Sequence, residues 1–217
     1  MFAHQGLVCR AADVALLGIA VNAAVLVATP PLRPDLDVLD DSVSFYAIGP
    51  FGFLQAVAFV ALGIASLTLA LSLARTHRAS PWMHVTTWLL GVSGLASLGL
   101  VWFPMGSLGP ATVLGDAHQT AGTIGGVAQL VAALAFALAI RRDPSWRGLF
   151  TAAIALVAVA VASAVVSQAA IWWPQLGIPM GATMRLLIVP LLLLWGLVAW
   201  RLRRTCPRRL SQSAVAR

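Results

Sequence analysis

The chain contains no lysine and no glutamate, a single tyrosine and two cysteines, and only 10% of its 217 residues are charged. Of the rest, so many are apolar that the chain is 60% hydrophobic overall, with a mean hydropathy of +0.90. A soluble domain of this size cannot hide that much apolar surface, so the composition excludes a soluble globular protein and makes lipid the solvent. All 14 basic residues are arginine and all seven acidic ones aspartate. That bias reads as the mark of a GC-rich, bacterial genome and carries no mechanism. The formal net charge of +7 does not point to nucleic acid, because the arginines lie in short clusters between apolar runs. The sequence "GLVC" before Arg10 has no apolar run ahead of it, which argues against lipoprotein processing, and the first span is read as retained.

Six apolar stretches are long enough to cross about 30 Å of hydrocarbon at roughly 1.5 Å per residue. They run about 14–29, 51–74, 82–103, 118–140, 149–172 and 183–202, separated by prolines and glycines. The chain therefore reads as one all-α integral membrane domain, a six-helix bundle over residues 1–217 with a short basic tail at 203–217. Twelve of the fourteen arginines fall on one side of these spans, and only Arg33 and Arg185 on the other, beside Asp35, Asp37, Asp40, Asp41 and Asp116. The positive-inside rule then predicts both termini in the cytoplasm and location in a bacterial inner membrane. Cys9 and Cys206 fall on that reducing side, so no structural disulfide is expected. The tail "RLRRTCPRRL" sets topology and offers anionic lipid head groups a site, so the partners expected are membrane lipids and not nucleic acid.

Ionisable groups inside spans are costly and mark function more often than ordinary surface residues do. Asp13 follows Arg10 by three residues, a spacing that pairs them on one helix face. In the fourth span, Asp116 and Gln119 form a capping-box pattern, in which the acid accepts from free backbone N–H groups at the helix start. His118, Gly122, Gly125 and Gln129 then recur on one face, and Gly122 with Gly126 makes a GxxxG seam that lets helices approach closely in lipid. Arg185 opens the sixth span, where an ion pair with Asp116 would tie the fourth helix to the sixth. A ligand cavity rimmed by Tyr46, Gln55, Trp102, Asp116, His118 and Arg185 is the expected site.

Enzymatic readings find less. No P-loop, dinucleotide glycine motif or paired-carboxylate motif is present, His118 is the one histidine on its side, and zinc needs three or four ligands. Bis-histidine haem would have to recruit His84 with His4 or His77. No metal or cofactor is therefore expected. "GVSG" (Gly91–Gly94) and "AHQTAG" (Ala117–Gly122) resemble fragments of rhomboid intramembrane serine proteases, which implies Ser93 as nucleophile and His118 as base. Such a dyad must touch. Ser93 lies ten residues below the end of its span while His118 begins the next, so the likeness reads as coincidence.

A fuller pattern covers most of the chain. "SVSFYAIGPFGFLQAVAFVALGIASL" (Ser42–Leu67), "FPMGSLGP" (Phe103–Pro110), His118, and "MGATMRLLIVPLLLLWGLVAWRL" leading from Arg185 into the last span resemble a family of six-span bacterial and archaeal membrane proteins known as domain of unknown function 998. Met105 and Met184 stand where that family's pattern carries acids. The resemblance implies a six-helix membrane fold and no particular chemistry. The expected function is non-enzymatic: binding or sensing a lipid-like or small apolar ligand, or supporting a partner, through the outer half of the bundle. The alternatives are a small transporter or transporter subunit, and an intramembrane hydrolase using His118.

Overall fold

A computed structural model describes residues 2–76, 80–105 and 112–206, with 2–5 as backbone alone. It contains six long helices: α1 (Phe2–Leu32), α2 (Gly52–Thr76), α3 (Pro81–Trp102), α4 (Val113–Ile140), α5 (Arg147–Trp172) and α6 (Met180–Arg204). All six are long and apolar enough to cross a membrane, and no strand occurs among the described residues. Helices dominate because, in hydrocarbon, a backbone N–H or C=O with no partner costs several kcal/mol, and a helix satisfies its own.

Short connections make consecutive helices antiparallel neighbours, and α6 closes back onto α1 to complete a ring. The helix ends at Arg75, Arg141, Arg142, Arg147, Arg201, Arg203 and Arg204 therefore gather at one end together with Arg10, while Arg33 and Arg185 lie at the far end. The apolar core is concentrated in the arginine-rich half. It is built from Leu69 and Leu73 of α2, Leu90 of α3, Phe136 and Ile140 of α4, and Leu194 of α6, all essentially without exposure. A line of rings reinforces it: Arg201 sits 5.2 Å from the Trp146 centroid, Trp146 meets Phe136 edge-on at 5.5 Å, and Phe136 meets Trp195 at 5.7 Å. In the far half of α5, Val165, Ile171 and Trp172 are exposed.

Three expectations are corrected at the arginine-rich end. α1 begins at Phe2, well before Val14, because the turns carrying Cys9 and Asp13 pack alongside the end of α6. That extension brings Cys9 and Cys206 into a disulfide, with Cα atoms 5.9 Å apart, where compartment alone had argued for free thiols. It also gives Asp13 an ion pair with Arg203 on α6 in place of the expected Arg10. The helix also continues through Pro30 and Pro31, which can donate no backbone hydrogen bond there, before Arg33 turns the chain. Pro190 likewise lies inside a continuous α6. His77, Arg78, residues 106–111 and the residues beyond Cys206, with Arg208, Arg209 and Arg217, lie outside the described residues, as does the side chain of His4.

Candidate functional site

The far end is organised by two arginines. Arg33, only 5% exposed, forms a two-pronged pair with Asp35, Nε to Oδ1 at 2.8 Å and Nη2 to Oδ2 at 2.7 Å, and donates through Nη1 to the carbonyl of Ile48. The bonds from Asp35 raise the arginine's pKa, and the same guanidinium lowers that of the Asp35 carboxyl. Backbone N–H groups of Asp40 and Leu39 hold the Asp37 carboxyl below its usual value. Gly49, at φ +76°, lies against this guanidinium, a backbone conformation that glycine adopts without strain.

Arg185 does the second half of the work. Its Nη1 donates to Val38 O at 2.6 Å and to Gly181 O at 3.0 Å, and its guanidinium stands 5.5 Å from the Tyr46 ring centroid. The free N–H of Ala182, in the first turn of α6, donates to Leu39 O at 2.7 Å. The loop between α1 and α2 thus caps α6, and its carbonyls supply partners where helix N–H groups have none of their own. Gly181 permits the contact: a Cβ there would meet Asp41 O, with Val38 O at 2.7 Å and Leu39 O at 2.8 Å. Met184, beside Arg185, takes a contact from the Ser42 hydroxyl at 3.2 Å.

These bonds scatter the six residues expected to rim one cavity. Arg185 and Tyr46 meet, but Arg185 is committed to loop carbonyls and makes no ion pair with Asp116. Asp116 is exposed and Trp102 is 81% exposed, so both face away from the bundle interior. Gln55 is buried one turn from Phe59, whose ring meets that of His118 edge-on at 5.8 Å. His118, 2% exposed, uses Nδ1 to bond Phe103 O at 2.7 Å. Since a carbonyl only accepts, Nδ1 carries the hydrogen, and the ring pins the end of α3 to α4.

The expected roles within α4 also change. The helix starts at Val113, and Thr112 caps it by accepting from Gly115 N at 3.0 Å, so Asp116 and Gln119 are helical residues and not the cap. The earlier start was hidden because Gly115 and Asp116 separate Val113 and Leu114 from the long apolar run that follows. Gly125 makes the close approach, with a Cβ there only 3.2 Å from the Ala96 methyl on α3. Gly122 is exposed and would just touch Leu100, and Gly126 faces nothing within 4 Å, so the GxxxG pair is not the packing seam. Ser93 lies beside Gly125, two helical turns below His118, and the two do not form a dyad. Among the described residues no group of three His, Cys or acidic side chains is placed to hold a metal.

Two spaces of different kinds remain, and sequence reasoning missed both. A groove of about 440 Å³ runs along the outer face where α1 meets α2, walled by Val14, Leu17, Gly18 and Val21 against Val57 and Ala61. Gly18 explains it. A Cβ there would lie 2.5 Å from Ala61 O, so the two backbones touch, and the same lack of side chains leaves a trough beside the crossing. A second, far smaller pocket of about 10 Å³ lies between Ser66, Gln129 and Trp195. Buried atoms with no hydrogen-bond partner among the described residues include Gln129 Nε2, Trp195 Nε1, His118 Nε2, Tyr46 Oη and Ser167 Oγ.

A family model described as "Protein of unknown function (DUF998)" matches residues 16–201. None of the curated proteins and none of the solved structures matches the chain.

Proposed function

The chain belongs to the DUF998 family, proteins of unknown function, and from that premise we propose that it is a non-catalytic membrane protein that holds one acyl chain of a lipid or lipid-like ligand against α1 and α2. The observation that carries this reading is the groove of about 440 Å³, whose size falls within the roughly 300–1,000 Å³ range of small-molecule sites. Its walls are apolar, and they lie at residues 14–21 of α1 and 56–64 of α2, the middle of two spans, where the surrounding solvent is hydrocarbon. Eight residues of helical rise make the groove about 12 Å long. One extended chain fits that shape.

Hydrophobic burial does not drive such binding, because a chain leaving bulk lipid for the groove exchanges one apolar environment for another. Selection must come from shape: Leu17 and Val57 stand as walls around Gly18 and Ala61, and close packing against a fixed trough replaces contacts with mobile lipid. The bonded cap directly above, fixed by Arg33 and Arg185, supports that rigidity. Its four aspartates at 35, 37, 40 and 41 disfavour an anionic head group at that end.

The expected orientation belongs to the same proposal: the arginine-rich end faces the cytosol by the positive-inside rule. Transport is the less favoured reading, since α6 runs unbroken through Pro190 and transporter sites favour discontinuous helices. The test is whether one lipid-like molecule survives gentle purification and is lost when a bulky side chain fills the groove.

A further inference from the structure

The small pocket between α2, α4 and α6 poses a different chemical problem from the groove. It lies near the middle of the spans, with Ile19 of α1, Ser66 and Leu69 of α2, Gln129 of α4, and Leu192 and Trp195 of α6 around it. Gln129 is 8% and Trp195 2% exposed, and neither Gln129 Nε2 nor Trp195 Nε1 has a hydrogen-bond partner among the described residues. Leaving a buried donor unsatisfied costs about 1–3 kcal/mol, and here two belong to residues that line one space. An indole N–H is a donor only, so whatever relieves it must accept.

Three kinds of guest can be compared on that chemistry. An anion accepts, but no cationic side chain lines the space, and an unpaired charge at this depth is far costlier than the two missing bonds. A cation is repelled by two N–H groups. A neutral molecule of one heavy atom that both accepts and donates suits the three polar residues of the lining, Ser66, Gln129 and Trp195. The volume of about 10 Å³ lies at the lower edge of the roughly 10–15 Å³ that one water requires. We infer that this cavity is a binding site for a single water molecule, which accepts from Trp195 Nε1 and from the Gln129 amide and donates to Ser66 Oγ. That water links α2, α4 and α6, which are not all neighbours in the ring, and so joins the interior of the bundle by hydrogen bonds where lipid offers none.

The test uses the full chain, ¹⁵N-labelled, in lipid nanodiscs, with the Trp195 indole resonance assigned from its disappearance in Trp195→Phe. The expected result is a through-space cross-peak between that indole hydrogen and a long-lived water. Ser66→Val fills the cavity from α2 and should abolish the cross-peak and shift the indole resonance upfield. Gln129→Met fills it from α4 and should do the same, which keeps the test decisive if one variant does not fold. A wild-type indole with no water cross-peak, or a cross-peak undiminished in the folded filled variants, overturns the inference.

Discussion

The groove and the cavity differ in size by a factor of about forty, from about 440 to about 10 Å³, and in every other respect that matters. The groove lies on the outside of two helices, is lined by apolar side chains, and exists because Gly18 and Ala61 are small. The cavity lies between helices of the ring, beside two residues whose donors have no partner among the described residues. In lipid, an apolar hollow costs little because tails fill it, whereas a polar hollow must be closed or hydrated. The contrast teaches that the polar residues of this bundle mark its construction, and the groove proposed to hold a ligand has none.

The comparison can be broken most severely through α1, which walls the groove but contributes only Ile19 to the cavity. The Cys9–Cys206 bond fastens α1 to α6 at the arginine-rich end. Reducing it in purified protein, or replacing Cys9 with serine, should lower unfolding stability by about 2–4 kcal/mol, read as a fall in melting temperature.

A smaller effect is expected from Gly18→Ala. Its added methyl would lie 2.5 Å from Ala61 O and must push α1 away from α2. The cost is that of overpacking, about 1–3 kcal/mol, and the groove should lose its shape while the Trp195 indole signal changes little. A variant as stable as the wild type would show that the two helices do not meet as described.

The smallest effect concerns the cap, which neither space includes. The folded pKa of Asp35 is lowered by its bonds from Arg33, so its contribution to stability is complete above the ordinary value of 3.8 and is lost as pH falls through the lower folded value. Protease cleavage within residues 33–51 should therefore be unchanged from neutral pH to about 5 and rise only below about 4, near the reference value for aspartate. Asp35→Asn should raise cleavage already at neutral pH. Equal cleavage of the wild type and the variant at every pH would remove Arg33–Asp35 from the cap.

Much of this architecture was legible from the residues alone. All six spans and the gathering of arginines at one end follow from hydropathy and charge, because in lipid those two properties govern the whole course of the chain. The site was not legible, and the reasons are specific. Arg185 was matched with Asp116 by sign, yet its partners are the carbonyls of Val38 and Gly181, and carbonyls leave no trace in a sequence. Arg33 looked like a loop charge until folding placed Ile48 O and Gly49 around it. His118 was expected at the rim of a ligand cavity, but its bond to Phe103 O makes it a fastener between α3 and α4. Gly122 and Gly126 had the spacing of a packing seam, whereas Gly125 makes the contact, because which glycine meets a neighbour depends on helix rotation. A search guided by polar residues passes over a groove made of valine, leucine, glycine and alanine.

The central claim, that this groove holds an acyl chain, is tested most directly by native mass spectrometry of protein released from nanodiscs, wild type beside Ala61→Phe. The aromatic ring would occupy the trough from α2 without adding charge. The account predicts one lipid-sized adduct on the wild type that persists under collisional activation and is reduced at least several-fold in the variant, with melting temperature preserved. Adducts of equal number and persistence on both proteins would contradict it.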